Sequence, residues 1–302
     1  MRCAPCPVLL PVLLAVGLTA SGAQSPSRYG PARQLCILAN EAVDESSGLA
    51  CSRRHDGVFW THNDSGDQPR LYAFNRRGEH LATVIAHGAI AQDWEDMASF
   101  RLDGKPYLLV ADVGDNKSRR PYRTLYVLPE PPLDLDERDV EATARISLAI
   151  EFTYRGGPQN CEAVAVEPAR RRVLLITKTL LGPCRVYVAP LKASPRDKPF
   201  VLQPIATLLI PTVTAMDLAP DGRRAAVLTY RGACVYTRRP DETWAEALAR
   251  APSPVRLPRI RQPEALCYGP DGHTLYLTSE KTPTPLLEVP LRQPKDDAPA
   301  AP

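Results

Sequence analysis

Residues 264–281 read EALCYGPDGHTLYLTSEK: a short apolar segment, a turn of Gly, Pro, Asp and Gly, and a second apolar segment ending in Thr, Ser and charge. Turns of this composition join the strands of hairpins rather than the halves of a helix. The pattern recurs along the chain. SGLACSRRHDGVFWTHND starts at Ser47, EDMASFRLDGKPYLLVADVGD at Glu95, EAVAVEPARRRVLLITKT at Glu162 and MDLAPDGRRAAVLTYRG at Met216. Each copy is followed by a third strand, in RLYAF (70–74), TLYVL (124–128), RVYVA (185–189), ACVYT (233–237) and LLEVP (286–290). A fourth follows in the first four copies, in HLATVIA, ARISLAIEF, VLQPIATLLI and VRLPRI. The last copy has none, because the chain runs on into QPKDDAPAAP. An unassigned strand, QLCILAN at 34–40, lies at the opposite end.

Repeats of four short strands close into a ring when the first strand of the chain completes the last sheet, which also removes an exposed edge. The expected fold is therefore all-β: a single five-bladed β-propeller domain over residues 34–291, its last blade closed by residues 34–40. The longest interval, from Glu95 to Glu162, is filled by the loop GDNKSRRPYR and the excursion PEPPLDLDERDVEAT, with no sixth copy of the turn. One short helical pattern stands out, TWAEALARA at 243–251.

Composition bounds the function. Residues 1–23 carry Arg2, an apolar core from Val8 to Leu18 and small residues at 21–23, the pattern of a cleavable secretory signal. The core is too short to span a membrane, and no later segment approaches the roughly 20 apolar residues a span requires. A secreted or periplasmic monomer is expected, with a disordered tail at 292–302. The net charge of +3 comes without an arginine-rich helix or aromatic RNA motif, which argues against a nucleic-acid partner. No CxxC pair occurs in the mature chain, which argues against a zinc ribbon. Cys161 and Cys184 begin the first and third strands of blade three, where a disulfide would be geometrically feasible; burial as free thiols is the alternative.

The first strands of a propeller line its central channel, so equivalent positions converge. Here that position reads Ser47, Glu95, Glu162, Met216 and Glu264. Carboxylates converging at a channel mouth repel one another unless protonated or bridged by a cation, and an all-oxygen set suits Ca²⁺. Ser47, Glu95, Glu162 and Glu264 are thus the candidate metal ligands. The plain alternative for any one Glu is a solvated carboxylate or a cap on neighbouring NH groups. By strand alternation, Asp93 and Asp96 are expected to point away from Glu95 and to serve the surrounding loops, and Trp94 and Met97 to pack between blades. The loops on the same face carry HNDSGDQPR and ADVGDNKSRR. They supply the acids Asp64, Asp67, Asp112 and Asp115 as catalytic candidates. Asn63, Arg70, Asn116, Lys117, Arg119, Lys178, Arg231 and Lys281 are candidate contacts for an anionic ligand.

With SSGLA, NDSGD, DWEDMA and DVGDN in order, the chain resembles a group of secreted bacterial propellers of the SdiA-regulated and esterase-like phytase type. The axial set is also similar to that of the calcium-dependent soluble apyrases, five-bladed propellers whose axial Ca²⁺ is held by Ser and Glu from successive first strands. Met216 departs from that pattern where a Ser is expected, with Thr214 or a main-chain carbonyl as a substitute. The resemblance implies axial Ca²⁺ in Ser47, Glu95, Glu162 and Glu264. Two functions follow: a non-catalytic binding or scaffold module whose axial face takes a small anionic ligand or a protein, or a calcium-dependent hydrolase of phosphate esters. Glycoside hydrolysis is disfavoured by an aromatic content of 6%, and the chain has no GxSxG elbow.

Overall fold

The computed structural model describes residues 28–195 and 198–292. The expected signal segment, 1–23, and the tail beyond Arg292 lie outside the described residues. Five small sheets form a five-bladed β-propeller, with one short α-helix and one 3-10 turn among the described residues. The innermost strands are Ser46–Cys51, Trp94–Leu102, Cys161–Glu167, Val213–Leu218 and Pro263–Tyr268, and each begins an antiparallel meander outward. Apart from the last two residues of Trp94–Leu102, every residue in them is buried, the polar and acidic ones included.

The ring closes as the sequence implied. Arg33–Ile37 pairs antiparallel with Pro285–Val289 as the outer strand of blade five. Five separate apolar cores then fill the five seams between neighbouring blades. Trp60, Trp94 and Met97 pack in the seam between blades one and two, and Trp244 in that between three and four. Burying side chains of this size is worth about 2–3 kcal/mol each, so the seams rather than the hairpins hold the ring.

Three expected outer strands need correction. ARISLAIEF is not one strand. Val140–Arg145 runs parallel to His80–His87 on the edge of blade one, and Leu148–Tyr154 pairs with Arg123–Pro129 in blade two. The crossing falls at Ile146 and Ser147, whose NH groups donate to His87 in one blade and Val127 in the next. VLQPIATLLI divides the same way: Phe200–Leu202 lies parallel on the edge of blade two, and Pro204–Leu208 completes blade three. Both extra strands cover edges that would otherwise be open. VRLPRI gives only its first residue to the last strand of blade four, Ser253–Val255, since Pro258 has no NH to extend a ladder. The helix over Trp244–Leu248 is held by a capping box between Thr243 and Glu246.

Candidate functional site at the channel mouth

Every innermost strand carries a β-bulge at the same place. The register slips between Ser46 and Gly48, Trp94 and Asp96, Cys161 and Ala163, Val213 and Ala215, and Pro263 and Ala265. The extra residue in each case is Ser47, Glu95, Glu162, Thr214 or Glu264. The blade-four equivalent is therefore Thr214, not Met216. Met216 is fully buried in the core between blades three and four. The sequence carried the signal: counting back six residues from the Pro of APDG (219–222) and of GPDG (269–272) lands on Thr214 and Glu264. All five bulged residues bear side-chain oxygen, and a bulge frees such a residue from the ladder and re-aims it.

The residue after each bulge is small in four blades (Gly48, Ala163, Ala215 and Ala265) and acidic in one, Asp96. The reason is steric. Asp96 is 0% exposed, and its carboxylate accepts from the NH groups of Met97 (2.8 Å), Val164 (2.8 Å) and Met216 (3.3 Å). It reaches across from blade two to blades three and four and so plugs the axis. Asp96 thus does not serve the surrounding loops. Asp217 makes a similar tie, accepting from Leu218 in its own strand and Tyr268 in blade five, each at 2.8 Å.

Outside the plug lies a crowd of carboxylates. Ligand oxygens of Asp64, Asp93 and Glu95 all lie within 4.8 Å of one another. Asp93 joins Glu95 because it precedes the strand and the bulge at Glu95 breaks the alternation that would have separated them. Burial, followed by the nearby Glu162 and Asp64 carboxylates, pushes the Glu95 carboxyl well above its ordinary range. Burial likewise lifts Asp64 to about 7 and Asp93 to about 6. Asp64 Oδ1 is enclosed and has no hydrogen-bond donor among the described residues. Gly114 of the DVGDN loop lies against this group: a Cβ there would stand 2.1 Å from Glu95 Oε1 and 2.5 Å from Asp93 Oδ2.

Across the mouth, Lys178 Nζ bonds Glu162 Oε2 at 3.0 Å and lies 4.7 Å from the centre of the Tyr230 ring. Asn160 donates to the other Glu162 oxygen at 2.7 Å. Burial acts against the ammonium, but Glu162 and Glu264 outweigh it and hold Lys178 above the ordinary lysine range. Glu264 is pushed up to about 8, mainly by burial, with Lys178 and Tyr230 opposing. The axial carboxylates therefore fall into two groups. Glu162 and Glu264 share one lysine, Glu95 stands with Asp64 and Asp93, and Glu162 adjoins both groups. Ser47 donates its hydroxyl to the Glu95 backbone oxygen at 2.7 Å, which anchors the strand that carries Glu95.

The remaining loop residues divide between internal ties and the rim. Asp112 is bidentate on buried Arg120 and also accepts from Asp93 N, so it fixes the loop that carries Asp93. Asp115 accepts from the NH groups of Arg119 and Arg120 and pairs with buried Arg123. Asp67 accepts from Asn63, Arg70 and Tyr72. Asn63 also donates to Ala42 O at 2.7 Å, and Asn116 accepts from Asn160 at 3.0 Å. Lys281 pairs with Glu45 at 3.0 Å. Lys117, Arg119 and Arg231 are exposed on the same face. Cys161 and Cys184 are free thiols, the second of the two alternatives: Cys161 Sγ faces the carbonyls of Ala163 and Ile176, and Cys184 Sγ faces the Thr179 hydroxyl.

No protein-family model and no curated protein matches this chain.

Proposed function

We propose that this propeller is a binding module in which Asp64, Asp93 and Glu95 hold a hard divalent cation at the channel mouth, with Ca²⁺ the ion best suited to an all-oxygen set. One observation carries the reading: three carboxylates converge within 4.8 Å, one with an enclosed oxygen that no donor satisfies. Carboxylates in such contact, one buried and two half-buried, favour protons or a cation between them. Glu162 and Glu264 already draw on Lys178, and Asp112 engages Arg120, so the nearby basic groups are committed.

The rest of the face suits a partner. Lys117, Arg119 and Arg231 supply positive charge, and Ile90 (67% exposed), Leu180 (73%), Leu181 (93%) and Leu209 (89%) stand out on loops at the same end. Exposed leucines around a polar well favour recognition of a ligand or protein over a closed reaction chamber. The signal-like residues 1–23 would carry the protein to a compartment rich in Ca²⁺, consistent with the motif likeness to secreted SdiA-regulated and phytase-type propellers.

A second reading, a calcium-dependent phosphate-ester hydrolase, is favoured by Lys178, whose partner Glu162 adjoins Glu95, so that a phosphoryl group could bridge ammonium and cation. The discriminating experiment presents the purified protein with phosphate monoesters, diesters and nucleotides, with Ca²⁺ and with chelator. The binding reading expects Ca²⁺-dependent association and no turnover. Turnover abolished by chelator and by Glu95→Gln would replace it with the hydrolase.

A further inference from the structure

The six described cysteines are all free thiols, and one pair is set apart. Cys51 Sγ and Cys267 Sγ lie 3.6 Å from each other, and no other two of these sulfurs make contact within hydrogen-bonding reach. Cys51 ends the innermost strand of blade one, and Cys267 lies near the end of the innermost strand of blade five. These two strands are neighbours across the seam where the first and last blades meet. Both side chains belong to the apolar core of that seam, with exposures of 3% and 1%. We infer that Cys51 and Cys267 are a disulfide site that locks the closing seam of the ring.

The geometry asks for little. The sulfurs need to move toward each other by about 1.6 Å to reach a bond near 2.05 Å, within the range of small side-chain rotations. The pair spans nearly the whole domain, so the bond would close a very long loop, the case in which a cross-link most restricts the unfolded chain. It would also complement the N-terminal strand. That strand ties the seam at its outer edge by hydrogen bonds, whereas the disulfide would tie it at the inner edge.

The reaction is a thiol–disulfide exchange with a small-molecule disulfide such as oxidised glutathione. One cysteine, as thiolate, attacks the oxidant and releases one reduced thiol. The second attacks the resulting mixed disulfide, forms the Cys51–Cys267 bond and releases the other. Two electrons pass to the oxidant, and the two cysteine protons end on the released thiols. Because the seam shields both sulfurs once closed, exchange belongs to folding, before blades one and five dock.

The test refolds the full chain in a mixture of oxidised and reduced glutathione, traps remaining thiols with an alkylating agent in denaturant, and maps peptides by mass spectrometry without reduction. The expected result is a peptide pair joined through Cys51 and Cys267, with the other four described cysteines alkylated. The melting temperature should fall by several degrees on reduction, and that shift should be absent from the Cys51→Ala/Cys267→Ala double variant. Alkylation of both cysteines in protein folded under these conditions would overturn the inference, as would cross-linking through Cys36, Cys161, Cys184 or Cys234 instead. The peptide map on the unsubstituted chain decides the question even where the double variant does not fold.

Discussion

At the scale of single residues, the acidic stretch QDWEDMASF illustrates how three neighbouring acids acquire three duties from one bulge. Glu95 is the extra residue and turns to the channel mouth, Asp93 joins it from outside the strand, and Asp96 plugs the axis. The value of Glu95 was readable from its recurrence at 162 and 264. The roles of Asp93 and Asp96 were not, because alternation fails at a bulge and because the partners of Asp96 lie on other blades. The small size of Gly114 is equally specific. Gly114→Ala is expected to displace Glu95 and Asp93 and to weaken Ca²⁺ binding by tenfold or more, read by calorimetric titration, while far-UV circular dichroism stays unchanged. Asp96→Ala should act on stability instead. It leaves the buried NH groups of Val164 and Met216 without an acceptor, a loss of about 3 kcal/mol in urea unfolding.

Among the elements, the innermost strands and the hairpin turns were legible because short turns, HDG, LDG, APDG and GPDG in four of the blades, separate the first strand from the second. The closing strand was legible because a strand was missing at one end of the chain and spare at the other. The fourth strands were harder, since the apolar runs 140–152 and 200–208 each continue through a crossing between blades. Nothing local marks where Ile146 or Gln203 leaves one sheet for the next; the hydrogen-bond partners on two different blades decide it. Blade four misled for another reason: Met216 is two residues beyond its bulge, and only the count from the turn corrects it. The closing strand yields a prediction of its own. Deleting residues 28–38 leaves Pro285–Val289 as an uncovered edge, so the truncated protein is expected to aggregate, seen in size-exclusion chromatography as a shift from the intact protein's peak to the void volume.

For the molecule as a whole, the ring is stable where its seams are apolar and strained in charge where its innermost strands converge. Asp64, Asp93 and Glu264, at about 7, 6 and 8, hold protons more tightly than the roughly 4 of carboxyls in an unfolded chain. Raised values favour the folded state fully below about pH 4, and that contribution is lost as pH rises through each folded value. The cation-free protein is therefore expected to melt lower at pH 8 than at pH 5. Ca²⁺ should restore the Asp64 and Asp93 part of that difference at pH 8 and do little at pH 5, where protons occupy their oxygens.

The most direct test is a Ca²⁺ titration at pH 7.5, by isothermal calorimetry on chelator-treated protein and on Glu95→Gln and Asp64→Asn variants that fold normally. A single site is expected in the parent protein, weakened at least tenfold in either variant. A parent protein that binds no Ca²⁺ or other divalent cation, or one whose affinity is unchanged when Glu95 and Asp64 lose their charge, would contradict it.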